Sequence, residues 1–199
     1  MFETILTVGA IVCGLVVAAV LVVILLMWAK VDISGIFRVL ASWQNSATRT
    51  SPHESVAGKV GTTTLHIRYG RPRKRGRHIF GKLVPYNTVW RTGANEATEI
   101  STDTDVIVGE KLLKAGTYQL FTIPRPEAWT IIFNSKRGQW GAFFYNPHYD
   151  ILRIDIPVRS LDGTSPVEQL TITIDSLAPN TGFTIMWDTV AVHVPVKSP

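Results

Sequence analysis

The richest polar cluster in the chain is WRTGANEATEI, from Trp90 to Ile100. Arg91, Asn95 and Glu96 within it have the side chains of a small binding or catalytic site. Glu96 would serve as a general base, Arg91 as an anion clamp and Asn95 as a hydrogen-bond donor. A structural role explains the same residues. Arg91 and Glu96 would then pair with each other or with backbone, pinning an irregular loop under Trp90, with Gly93 supplying a conformation that other residues avoid. Glycoside hydrolysis would need a second carboxylate opposite the first. Glu99, Asp103 and Asp105 are present, but they alternate as on a solvated strand edge. A structural role is favoured over ligand binding, and ligand binding over catalysis.

A second constellation lies just upstream. Arg71, Arg73, Lys74, Arg75, Arg77 and Lys82 follow one another with no acid between them. The chain has 20 Lys and Arg against 15 Asp and Glu, so these six account for its whole basic excess. Such a patch suits anionic lipid headgroups or the acidic face of a protein partner. The plain alternative is a solvated loop whose charge has no function. Nucleic acid is not expected, because no recognised nucleic-acid module surrounds the patch.

Other chemistry is poorly supported. His53, His66, His78, His148 and His193 are too far apart in sequence to form a ligand pair on one element, so no metal or other cofactor is expected. His66 and His193 fit outward strand faces. The serines lack a Gly-x-Ser-x-Gly setting. Cys13, the one cysteine, excludes a disulfide within the chain. Tyr86, Trp90, Trp129, Trp140, Phe143, Phe144 and Tyr145 could build a carbohydrate platform, but such rings more often fill a core.

The elements that must position these residues are strands. TTTLHIRY puts Leu65, Ile67 and Tyr69 on one face. ILRIDIPV sets Leu152, Ile154 and Ile156 against Arg153 and Asp155, and EQLTITIDSL sets Leu170, Ile172 and Ile174 against Thr171, Thr173 and Asp175. TYQLFTI and WTIIFN are further β-rich runs. This period-two pattern predicts half-buried antiparallel strands. In GFTIMWDTVAVHVPV the parity slips between Phe183-Ile185-Trp187 and Val190-Val192-Val194, which predicts a β-bulge or bend at Asp188-Thr189. Turns are expected at Arg71-Pro72, Asn146-Pro147, Asp162-Gly163 and Pro179-Asn180. The fold class expected is all-β, an antiparallel β-sandwich behind one N-terminal transmembrane α-helix.

That helix is read from residues 4–29, which carry no charge. It would be roughly 39 Å long at about 1.5 Å per residue, against a hydrocarbon core of about 30 Å. Met1, Phe2 and Glu3 provide no basic n-region, and no small-x-small cleavage site follows, so a retained anchor is expected rather than a cleaved signal. Ala10, Gly14 and Ala18 recur every four residues, a stripe that lets another helix pack closely. Ile33, Ile36, Phe37, Leu40 and Trp43 then follow at helical spacing, as in a helix lying on the membrane surface or a stalk continuing the span. The expected organisation is an anchor over 1–30, an interfacial helix and linker over 31–55, and the β-sandwich over 56–199. Lys30, Arg38 and Arg49 would hold the downstream side in the cytoplasm by the positive-inside rule, which is weak for long domains.

The segment GRHIFGKLVPYNTVWRTGANEAT, Gly76 to Thr98, has a specific look, as do KAGTYQLFTIP, WTIIFN and QWGAFFY further on. Together they resemble a bacterial exported domain family of unknown function, with the likeness covering about residues 50 to 195. The resemblance implies an all-β exported domain, and so a periplasmic one on the bacterial inner membrane. It implies no activity. The family usually follows a removable signal, whereas an anchor is expected here. The leading functional expectation is a non-enzymatic, single-pass accessory subunit whose domain packs against other subunits of a larger membrane complex, such as a photosynthetic or respiratory one. The alternative is a membrane-tethered module that binds a glycan or small ligand. An enzyme ranks third.

Overall fold

The computed structural model describes residues 50–161 and 163–199, together with Val17, Ala18, Val20, Leu21, Val22, Ile24 and Leu25, which are helical. Most of the expected anchor, including Ala10 and Gly14, and the segment read as an interfacial helix lie outside the described residues. Ala18 is helical and exposed. Among the described residues, no helix is long and apolar enough to cross a membrane.

From His53 onward the chain is built of strands. In order they are β1 (His53–Val60), β2 (Thr63–Gly70), β3 (Thr98–Thr102), β4 (Val106–Val108), β5 (Lys111–Leu113) and β6 (Gly116–Ile123). There follow β7 (Ala128–Asn134), β8 (Asp150–Pro157), β9 (Arg159–Ser160), β10 (Val167–Asp175), β11 (Gly182–Asp188) and β12 (Val190–Lys197). A short 3-10 helix at Pro147–Tyr149 precedes β8, with the Asn146 side chain accepting from the His148 amide. The first strand thus begins inside the stretch read as linker.

Two antiparallel sheets result. One runs β1-β2-β3-β6-β7-β8, the other β10-β11-β12-β4-β5, with β9 paired to β12. Period-two patterning explains how they meet, because each strand turns one apolar row to the partner sheet. Leu65, Ile67 and Tyr69 of β2 and Leu152 of β8 share one buried cluster with Leu170, Ile172, Phe183, Ile185, Trp187, Val192 and Val194 from the other sheet. The arrangement is sandwich-like. The Tyr69 hydroxyl crosses the interface to accept the Ile172 amide at 3.0 Å, satisfying a buried donor. Burial pushes the Tyr69 phenol above its ordinary pKa.

The structure departs from simple alternation in two places. In β6 and β7, residues 118–122 and 129–134 are buried on both faces. A second small cluster of Ala97, Phe121 and Ile132 explains this, since Val89, Ala142 and Tyr145 from loops cover the outer face of the sheet there. The Asp188-Thr189 slip is a tight hairpin turn rather than a bulge in one strand. Trp187 pairs with Val190 across it, and Asp188 takes φ 57°. A two-residue hairpin preserves cross-strand facing while shifting sequence parity, so turn and bulge leave the same trace in a sequence.

Residues 71–97 join β2 to β3 by closing the space between the two sheets. Phe80 and Trp90 from this connection meet Trp129 of β7 and Trp187 of β11. Phe80 lies 4.9 Å from Trp129, edge to face, and Trp90 stacks on Trp187 at 6.0 Å with 18° between planes. Trp90 also bonds β6 through both backbone groups, its amide to the Thr122 carbonyl at 2.7 Å and its carbonyl from the Thr122 amide at 2.9 Å. Trp129→Ala should therefore cost about 3–5 kcal/mol, as for large aromatic deletions from a core. Urea unfolding of the detergent-solubilised protein measures this; a loss below about 1 kcal/mol would mean that the rings do not join the sheets.

Candidate functional site

The connection 71–97 carries nearly every polar residue singled out from the sequence, and its local bonding decides which of them remain available. Its first part is tied across to β10. Arg71 donates from Nε to the Leu170 carbonyl at 2.9 Å and from Nη2 to Thr171 Oγ1 at 2.9 Å, and approaches Glu54 at 3.4 Å. The Leu170 amide bonds the Pro72 carbonyl, and the Lys74 amide bonds the Glu168 carbonyl. Arg71-Pro72, expected as a turn, is instead an extended piece that bridges to β10 at Arg73 and Gln169. Lys74 Nζ forms an ion pair with Asp188, joining the loop to the β11–β12 turn. The Arg75 amide bonds Glu168 Oε1 at 2.9 Å, with Arg75 at φ 51°.

These anchors orient the remaining arginines. Arg77 curls back on its own loop, Nη2 to the Arg73 carbonyl at 2.6 Å and Nε to the Lys74 carbonyl at 3.0 Å. Among the described residues, no side-chain hydrogen bond or ion pair holds Arg73 or Arg75. The last part of the connection is strained. Thr92 and Asn95 take φ 54° and 64°, in the left-handed region. The Trp90 indole donates to the Gly93 carbonyl at 3.1 Å and Thr98 Oγ1 to the Thr92 carbonyl at 2.9 Å, bonds that maintain this shape. Non-glycine residues held there cost about 1–3 kcal/mol each and cluster at functional sites.

The two ends of the connection face one another across a cleft of about 310 Å³. Its wall includes Arg73, Arg75, Arg77 and Arg91, with Asn95, Thr50 and Ser51 as neutral polar groups and Leu83, Val84, Trp90 and Trp187 as an apolar side. Among the described residues, no carboxylate lines it. Arg91 Nε is buried and has no hydrogen-bond partner among the described residues. Leaving a buried donor unsatisfied costs about 1–3 kcal/mol, more for a charged group. Burial draws the Arg91 guanidinium below its ordinary pKa, and the nearby Glu96 charge opposes that shift. Arginine nonetheless stays charged.

The sequence-predicted residues divide accordingly. Arg73, Arg75, Arg77, Arg91 and Asn95 meet in one site, although they came from two separate clusters. Arg71 and Lys74 are fasteners, not members of an open patch. Lys82 is exposed and does not line the cleft. Glu96 is not in the wall either; it pairs with His53 of β1 at 2.9 Å. Trp187, from more than ninety positions downstream, was missed as a site residue. His66 is exposed, but His193 is mostly covered and bonds Thr184 and Asp175. Of the aromatic residues, Trp90 and Trp129 are core, while Phe143 is 61% exposed and stacks on Trp140 at 5.9 Å. Among the described residues, no group of three His, Cys, Asp or Glu could hold a metal ion.

A family model described as a protein of unknown function (DUF2911) matches residues 51–196. The chain belongs to that family. No curated protein matches it, and no solved structure does.

The floor beneath this site depends on a close backbone approach. A Cβ on Gly70 would stand 2.0 Å from the Ala94 carbonyl oxygen, where the Ala94 amide bonds the Gly70 carbonyl at 3.2 Å. Backbone cannot move aside as a flexible side chain can. Gly70→Ala should cost about 1–3 kcal/mol or more, as overpacking does. An unchanged denaturation midpoint would show that the loop is free to shift.

Proposed function

We propose that this protein is a tethered binding module for a small anionic ligand, with the arginine-lined cleft as its site. One observation carries the reading. Four arginines line a single concavity in which, among the described residues, there is no carboxylate, and the buried Nε of one of them has no partner among those residues. Like charges gathered in a concave surface repel one another and focus positive potential. An anion entering the cleft would relieve the repulsion. Among the described residues, the wall has no His, Asp, Glu, Cys or Lys. It therefore offers no general base or activated nucleophile, which favours binding over catalysis. The tether rests on the uncharged run at residues 4–29, and export on the sequence resemblance. The module would then stand on the periplasmic side of the inner membrane.

A second reading keeps the domain as an accessory subunit of a larger membrane complex. Phe143, 61% exposed and stacked on Trp140, favours it as an aromatic contact for another subunit.

The binding reading is tested by melting the full-length protein in detergent with added sulfate, phosphate or citrate, at ionic strength matched with chloride. At about 100 times Kd a bound anion adds about 2.7 kcal/mol, which is roughly 5–10 °C for a domain of this size. Arg73→Ser with Arg75→Ser should abolish the specific part of the rise while leaving the fold intact, since neither side chain has a structural bond among the described residues. Sulfate and phosphate stabilise many proteins without a site. A rise equal in wild type and variant would therefore count against the cleft.

A further inference from the structure

Resting on that reading, we infer that the ligand presents a phosphomonoester, a terminal phosphate of two negative charges, with the group it esterifies against the apolar side of the cleft. Charge is the first argument. A carboxylate brings one negative charge to a wall that has four arginines and, among the described residues, no acid. A terminal phosphate brings about −1.5 to −2 near neutral pH and three strong acceptor oxygens.

Donor geometry is the second argument. Arg73, Arg75 and Arg77 come from one stretch of the connection and Arg91 from another, so arginines of two separate stretches line the cleft. A planar carboxylate is satisfied by one bidentate fork. A tetrahedral phosphate can offer different oxygens to different forks. Asn95 and Ser51 supply neutral polar groups beside them.

Size and surroundings limit the rest of the ligand. About 310 Å³ is at the low end of small-molecule pockets, which span about 300–1,000 Å³. The cleft therefore takes a head and a small body, with Leu83 and Val84 beside the body. Thr50 and Ser51, at the start of the described domain, also line it. The cleft thus lies where the linker enters. The phosphate could be borne on a soluble metabolite or on a lipid headgroup at the membrane.

Calorimetric titration of the full-length protein in detergent distinguishes these outcomes. Glycerol 3-phosphate and dihexanoyl phosphatidic acid are the phosphomonoester probes. Dihexanoyl phosphatidylglycerol is the diester control; acetate, glucuronate and citrate are the carboxylates. At least one monoester should bind tenfold or more tighter than the diester and every carboxylate. Arg73→Ser with Arg75→Ser should weaken it at least tenfold. A tighter glycerol phosphate would mark a soluble source, and a tighter phosphatidic acid a lipid one.

A pH series adds a readout that does not depend on any variant. The second phosphate pKa is about 6. Monoester binding should strengthen as pH rises from about 5 to 7, while sulfate binding stays flat. The facing groups are four arginines, which do not titrate there, with the His53–Glu96 pair nearby. A response shared by sulfate would assign the effect to the protein rather than to the phosphate. Carboxylate binding equal to or tighter than monoester binding, or a monoester profile no steeper than that of sulfate, overturns the phosphate assignment but leaves the anion site standing. If no anion binds the cleft, both readings fail.

Discussion

The packing of Phe80 and Trp90 against Trp129 and Trp187 is the contact on which the rest of the domain depends. Trp129 belongs to one sheet and Trp187 to the other, and the two rings from the connection lie between them. Without that plug, the ends of β7 and β11 would leave an apolar gap at the edge of the core. Connections as long as residues 71–97 are uncommon in compact domains unless they have a function. Ordering such a segment costs about 1–2 kcal/mol per residue in backbone entropy. Burial of Ile79, Val84 and Trp90 offsets part of this, at about 1.5–3 kcal/mol for each large side chain. Hydrogen bonds to β6 and β10 hold the backbone in register at both ends.

The cleft follows from that arrangement. A free loop with this many arginines would spread them into solvent to reduce repulsion. Here Arg71 and Lys74 are used as fasteners, one to β10 and one to the β11–β12 turn, and the residues between and after them have little freedom left. Arg75, Thr92 and Asn95 are kept in left-handed backbone by their neighbours. A site whose donors are fixed before the ligand arrives loses less entropy on binding, which is how a small cleft can reach useful affinity. The same rigidity keeps Arg91 Nε buried and without a partner among the described residues.

Two carboxylates show how the domain keeps this cationic site apart from its acids. Glu168 accepts the Arg75 amide, and Glu96 faces His53. Both lie close to the arginines in sequence or space, yet neither lines the cleft. Had either swung into it, a bidentate pair with an arginine would have closed the site internally. The Arg71 bonds likewise engage a cation of the run that does not line the cleft.

The sequence alone determined the strands and their buried faces. Leu65, Ile67 and Tyr69, or Leu170 and Ile172, are legible because period-two alternation is a local property of a chain half in water and half in core. The same rule failed where a third layer intervened. The faces of β6 and β7 are both buried because loops fold over one of them, and no local pattern encodes that cover. The parity slip at Asp188-Thr189 was visible, but only strand pairing reveals that the chain reverses there. Arg91 and Asn95 were recognised as one cluster and Arg73, Arg75 and Arg77 as another, each with a structural alternative. Their union in one cleft, the loss of Arg71 and Lys74 to bonding, and the entry of Trp187 were decided by tertiary structure alone. The reason is physical: residue type fixes what a side chain can bind, whereas its availability depends on which neighbours the packed sheets bring within hydrogen-bonding distance.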